Sequence, residues 1–246
     1  MSVVQASLVR GRSGALGGDG LANRGITQTE KLVALAQQKR NLESRLRVAD
    51  EQGRVLPALA ERWEVASDAR TYTFHLLRGV KFADGTDLDA GDVKFTFERN
   101  AAPDSTNSRK SYFTQMERIA AQDPTTVVVT LKEPSALFLF NLAENASVIV
   151  APESAATNRS NPIGTGPYKL ISLDRNKGVV VERNEAYNSN SEKKAPIKRI
   201  QGVFIPDRET QAAQLMTGGI DWIRGATPDA AKDLKNNPNL DVSYVA

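Results

Sequence analysis

The segment Arg70–Asn100, RTYTFHLLRGVKFADGTDLDAGDVKFTFERN, holds a strand, a tight turn and a helix start in a single window. In Arg70–Leu77, Tyr72, Phe74 and Leu76 alternate with Thr71, Thr73 and His75, the period of two expected of a strand with one face buried. The short run Val80–Ala83 leads into Asp84-Gly85, a pair suited to a tight turn. Asp89 then stands where an N-cap belongs, with Asp92 three residues on. This capping box predicts a helix over roughly residues 90–100, in which Val93 and Phe97 lie one turn apart. The carboxylates Asp84, Asp87, Asp89 and Asp92 invite comparison with a calcium loop, but there is no glycine at the sixth position and no acid at the twelfth. Turn and capping duty accounts for all four. His75 falls on the more polar face of its strand, where a single imidazole is expected to be a structural or surface residue.

Outward from this window the mixed α/β texture continues. Thr125–Leu131 reads as a strand, Pro134–Asn141 as a short apolar helix and Ser147–Ala151 as a buried strand. Tyr168–Ser172 and Gly178–Glu182 read as a strand pair joined by a polar turn, and Ile197–Ile205 as a strand ended by Pro206. A helix over Arg208–Thr217 is stopped by Gly218-Gly219, and a last helix is expected near Pro228–Asn236. Upstream, Thr27 and Glu30 form a second capping box before a helix over roughly residues 28–46, whose Lys39, Arg40 and Arg45 are expected to face water. Residues 1–26 hold six glycines and scattered apolar positions, and predict a loop or poorly ordered, basic, Gly-rich head.

At 246 residues, with 40% hydrophobic and 25% charged, the chain is long enough to bury a normal core in one or two domains. Its densest apolar stretches, Ala136–Phe140 and Val148–Ala151, are far short of the roughly 18 residues of a membrane span. With no cysteine, the sequence excludes disulfides, thiolate metal sites and a cysteine nucleophile; one histidine excludes any site that needs two imidazoles. Charge is unevenly placed. Residues 1–55 carry nine Lys/Arg against five acids, whereas residues 56–246 carry 23 basic and 24 acidic groups. The body is close to neutral and the head is basic, which suits a solvated helix face or an anionic partner. In the head, Arg10, Gly11 and Arg12 interrupt any run of the kind a secretory signal requires. No phosphate loop, dinucleotide fingerprint or G-x-S-x-G elbow is present, so neither catalytic residues nor a cofactor or metal is expected.

An ordered set of short motifs gives a more specific reading. Leu56-Pro57-Ala58-Leu59-Ala60-Glu61-Arg62-Trp63-Glu64-Val65, Tyr72–Leu76, Gly79-Val80-Lys81-Phe82, Asp84-Gly85-Thr86 and Asp92-Val93-Lys94-Phe95 follow one another through the first half. Leu131-Lys132-Glu133-Pro134, Asn161–Tyr168, Arg183–Tyr187 and Gly219-Ile220-Asp221 continue the series. Over about residues 44–246 this resembles the oligopeptide/dipeptide type of extracellular solute-binding proteins, family five, which serve ATP-binding-cassette importers. The resemblance implies an α/β (mixed α+β) fold, the first lobe of a two-lobed periplasmic-binding-protein type II architecture, with mixed sheets and flanking helices. Residues 27–246 would form lobe I, incomplete and without the second lobe, since family members are about twice this length. The family's opening strand has no clear match in residues 1–26.

The function implied is non-catalytic capture of peptides or similar small solutes between two lobes and delivery to a permease at the membrane surface. The resemblance further implies a periplasmic location, although no signal peptide is evident, and a monomer with no nucleic-acid partner. Ser111-Tyr112-Phe113 matches a family position whose aromatic residue borders the cleft, and Asn161–Gly166 is a turn able to bring backbone near it. Tyr112, Phe113, Asn161, Gly164, Thr165 and Gly166 are therefore the candidate ligand-binding residues. A competing expectation is a cytoplasmic transcriptional regulator that uses such a lobe as a sensor, with its basic N-terminal segment on nucleic acid.

Overall fold

The computed structural model describes residues 5–10, 45–49, 54–174, 176–187, 195–226, 231–232, 234, 237 and 240–245. The strands are β1 (Gln5–Arg10), β2 (Arg47–Ala49), β3 (Val55–Pro57), β4 (Ala60–Val65), β5 (Thr71–Leu76), β6 (Met116–Asp123), β7 (Thr126–Leu131), β8 (Tyr168–Asp174), β9 (Gly178–Arg183), β10 (Arg199–Val203), β11 (Trp222–Ala226) and β12 (Leu240–Val245). The helices are α1 (Ala90–Ala101), α2 (Ser111–Thr114), α3 (Phe138–Asn141) and α4 (Arg208–Thr217). They fall into two compact units, residues 38–202 and the paired segments 1–37 and 203–246.

The larger unit is organised by an antiparallel sheet of order β4-β5-β7-β6. Tyr72, Phe74 and Leu76 of β5 are buried while Thr71, Thr73 and His75 are half-buried, as the alternation predicts. Across the sheet Phe74 faces Trp63 on one side and Val127 on the other, so three apolar side chains form one row. The edge strand β6 is bulged between Met116 and Arg118 and again between Ala121 and Asp123. Bulges at both ends interrupt the regular ladder at the exposed edge and disfavour pairing with another chain.

α1 begins at the predicted capping box: Asp89 Oδ1 accepts from the Gly91 and Asp92 backbone N–H groups, and Asp92 Oδ2 accepts from the Asp89 N–H at 2.9 Å. Its buried residues Ala90, Val93 and Phe97 close over the sheet. Phe74, Phe82, Phe97, Phe113 and Phe138 are fully buried, with Phe97 and Phe113 rings 5.6 Å apart and Tyr72 and Phe138 rings 4.7 Å apart. Tilted aromatic pairs of this kind add roughly 0.5–1.5 kcal/mol beyond their area burial.

Three expectations are corrected here. Ser147–Ala151 is not a strand. Residues 145–147 form a single 3-10 turn and Val148–Ala151 runs extended but unladdered, because Thr96 Oγ1 donates to the Val150 carbonyl and accepts from its N–H, both at 3.0 Å. One side chain from α1 replaces a strand partner. The helix expected over Pro134–Asn141 is confined to Phe138–Asn141, preceded by a turn in which the Phe138 N–H reaches the Ser135 carbonyl. Arg45, expected in water on a helix over residues 28–46, is buried and not helical; its Nη1 donates to the Ala143 carbonyl. The rest of that helix, up to residue 44, lies outside the described residues.

A second antiparallel sheet, β10-β9-β8, carries the predicted strand pair, with Asp174 opposite Gly178 across the turn. In the smaller unit β1 is the central strand of β11-β1-β12. Part of the head expected to be loop is therefore a strand. It carries no local signal in the sequence, since both of its antiparallel partners lie more than two hundred residues downstream. The rest of residues 1–26 lies outside the described residues. α4 has the predicted limits: Asp207 accepts from the Thr210 N–H at its start, and Gly218, at φ 82°, ends it in a left-handed conformation that costs a residue without Cβ little. Leu215, Ile223, Leu234 and Leu240 form the apolar cluster of this unit among the described residues. Ala231, Lys232 and Leu234 are helical, within the last helix expected.

Candidate functional site

Two loops of the larger unit meet where Asn107 Nδ2 donates to the Ala146 carbonyl at 2.9 Å. The first loop is shaped by Asn107 itself, whose Oδ1 accepts from the Arg109 backbone N–H. The second turns at Ser147, whose Oγ donates to the Asn141 carbonyl and whose N–H reaches the Glu144 carbonyl. Between the loops lies a cavity of about 310 Å³ lined by Ser108, Arg109, Glu144, Asn145 and Ala146.

Tyr112 stands beside this cavity because its neighbour is anchored. Phe113 is fully buried against Phe97, which fixes α2 and leaves Tyr112 half-buried. The Tyr112 hydroxyl donates to Glu144 Oε1 at 3.2 Å, and the Arg109 guanidinium carbon lies 5.8 Å from the centre of the Tyr112 ring. Arg109 Nε is 3.6 Å from Glu144 Oε2, a charge pair rather than a hydrogen bond. With side chains 57% and 33% exposed, that pair stabilises the fold by only ~0–1 kcal/mol. Burial, followed by the hydrogen bond to Glu144, raises the Tyr112 hydroxyl above its ordinary value and keeps it a donor.

The other expected residues go elsewhere. Phe113 belongs to the core, closed to a ligand by its burial. Gly164, Thr165 and Gly166 are buried, and two of their carbonyls are already engaged: Gly164 accepts from the Ala83 N–H at 2.9 Å and Gly166 from Asn184 Nδ2 at 3.0 Å. Asn161 is exposed, its N–H bound to the Thr157 carbonyl. None of these lines the cavity, and Tyr112 reaches it only through Arg109 and Glu144. Ser108, Arg109, Glu144 and Asn145, which line the cavity, were not among the expected residues. Arg109, three residues before Tyr112 in a helical turn, was within reach of a cation–π reading. Glu144 had no local signal.

Elsewhere the acidic window does what its spacing suggested. Asp84 Oδ1 accepts from the Thr86 N–H and hydroxyl, Asp87 pairs with Lys81, and no cluster of potential metal ligands occurs among the described residues. His75 Nε2 lies 3.3 Å from Glu64 across the β4–β5 pair.

Antiparallel sheets with flanking helices are the architecture of periplasmic binding proteins. The chain belongs to the bacterial extracellular solute-binding proteins, family 5, whose model matches residues 54–246. The glutathione-binding protein GsiB of Pectobacterium atrosepticum is 31% identical over 198 residues, which is 78% of this chain and 38% of that protein. Among solved structures, AgaA from A. tumefacien R10 in complex with agropinic acid is 31% identical with a TM-score of 0.67, covering 76% of this chain and 38% of its own. DppA from Helicobacter pylori, in complex with the peptide STSA, is 27% identical with a TM-score of 0.70, covering 87% of this chain and 46% of its own. The chain thus spans less than half the length of these relatives. The mixed α/β periplasmic-binding-protein fold implied by the resemblance is the fold observed, and family 5 is a family of binding proteins rather than enzymes. The comparisons lend no support to a transcriptional regulator.

Proposed function

We propose that this chain provides the first-lobe portion of the substrate-binding component of an ATP-binding-cassette importer for peptides or similar small solutes. The family match over residues 54–246 carries this reading. It is supported by relatives named or solved with glutathione, a tetrapeptide and agropinic acid, all small polar solutes with carboxylates. Ligand is held against the loops around Ser108–Tyr112 and Glu144–Ala146, with Tyr112 as the aromatic contact. Gly164–Gly166 act one step back, by fixing the entry to β8. The liganded protein hands its cargo to a permease in the periplasmic or extracellular space, and no bond in the ligand is made or broken.

One lobe supplies one wall of a two-walled cleft, so the chain alone is expected to bind weakly. Titration with a mixed dipeptide and oligopeptide library, followed by amide NMR shifts, tests both parts. Weak binding that moves the amides of residues 108–112 and 144–147 is the expected result. Micromolar affinity from the chain alone overturns the single-wall reading; no shift at those amides with any peptide overturns ligand capture at this cavity.

A further inference from the structure

The cavity holds two ionic groups that are close to each other yet incompletely used. The five guanidinium N–H donors of Arg109 make no hydrogen bond among the described residues; the group is held over the Tyr112 ring and 3.6 Å from Glu144. Glu144 has one oxygen fixed by the Tyr112 hydroxyl, while the other faces Arg109 without a hydrogen bond. Ser108 and Asn145, both exposed on the rim, add an uncharged hydroxyl and carboxamide. Lys110, the next cation along the chain, is turned away to the Pro103 carbonyl.

From this arrangement we infer that Glu144 sets the charge class of the ligand and that the cavity takes a zwitterionic group, with a carboxylate on Arg109 and an ammonium on Glu144. The inference rests on the proposed ligand capture and deepens it. A ligand carboxylate can form the paired N–H···O contacts that Glu144 leaves unmade on the planar guanidinium. Alone, however, it places an anion against the Glu144 carboxylate, which Tyr112 holds in position. A lone ammonium meets the matching repulsion from Arg109. A zwitterion replaces one weak internal pair with two oriented ones and leaves the cavity neutral. Discrimination therefore comes as much from the repulsive member of the pair as from the attractive one.

Three small glycine derivatives of different charge test this on the full chain: glycylglycine (zwitterion), N-acetylglycine (anion) and glycinamide (cation), titrated by NMR at the amides of residues 108–112 and 144–147. The wild-type chain is expected to prefer glycylglycine over N-acetylglycine by about tenfold. Glu144→Gln should erase that preference by improving N-acetylglycine, and Arg109→Gln should shift it the other way, toward glycinamide. The second variant reports even if the first folds poorly. Equal binding of all three probes by the wild-type chain overturns the role of Glu144 while leaving ligand capture standing. A selectivity unchanged in either folded variant does the same, and no response to any probe overturns both readings together.

Discussion

Asp92 has two roles that oppose each other. As the third residue of α1 it returns a hydrogen bond to the Asp89 N–H, which favours its charged form, but it is 8% exposed and lies near Asp89 and Glu153. Burial dominates and lifts its carboxyl from 3.8 to about 6. The folded state therefore holds this proton more tightly than the unfolded one. The stabilisation is fully present below the unfolded value of 3.8 and is lost as pH rises through about 6. Asp92→Asn keeps an acceptor for the Asp89 N–H and removes the buried charge. It should raise stability above pH 6 by on the order of 1–3 kcal/mol and flatten the slope between pH 4 and 6. Urea denaturation at pH 4.5 and 7.5 reads both quantities; a variant less stable than wild type at pH 7.5 would sink the idea. Ala69 is strained in its backbone, at φ 54° in the turn that Asp68 closes by accepting from the Arg70 and Thr71 N–H groups. Its Cβ costs roughly 1–2 kcal/mol there, while glycine would return roughly 0.4–1 kcal/mol through unfolded-chain entropy. Ala69→Gly should thus stabilise by about 0.5 kcal/mol, read as a higher denaturation midpoint at unchanged slope.

Elements were legible where their signals are local. β5 announced itself by alternation because its apolar residues all face one core, α1 by the cap at Asp89, and α4 by the glycine stop at Gly218. β1 was hidden because its partners, β11 and β12, are distant in sequence, and a six-residue strand paired on both sides needs no pattern of its own. Val148–Ala151 misled for the opposite reason: it is apolar and partly buried like a strand, but its central hydrogen bonds go to the Thr96 side chain. The site divides along the same line. Tyr112 was expected from the motif around it, whereas its partner Glu144 comes from 32 residues away through the loop tie of Asn107 to Ala146. Asn184 shows how a motif residue can act on elements rather than ligands. At 4% exposure it donates to the Gly166 carbonyl from its side chain and to the Pro167 carbonyl from its backbone, and accepts from the Ala186 N–H, pinning the end of β9 to the start of β8. Asn184→Ala leaves buried polar groups without partners and should cost about 1–3 kcal/mol. Faster amide exchange at Tyr168 and Lys169 than at β5 would accompany it; a variant as stable as wild type would show that water replaces the amide without loss.

Over the whole molecule, the two units differ in how far apart in sequence their paired strands lie. In the larger unit a cluster of 21 buried apolar residues, five of them phenylalanines, surrounds β5 and β7. Hydrophobic burial is the main term opposing chain entropy, so the strands at the centre of this cluster are expected to open last. Topology adds to this. β1, β11 and β12 form a sheet only by closing the longest loops in the chain, whereas β5 and β7 are joined through elements nearby in sequence. The two units should therefore separate in native-state hydrogen exchange. Amides of β5 and β7 are expected to exchange only through global unfolding, with a denaturant dependence to match, and those of β1, β11 and β12 through smaller openings that depend weakly on denaturant. Equal protection and equal denaturant dependence in both groups would show a single cooperative unit, and would mean that closing the long loops does not lower the stability of the β11-β1-β12 sheet.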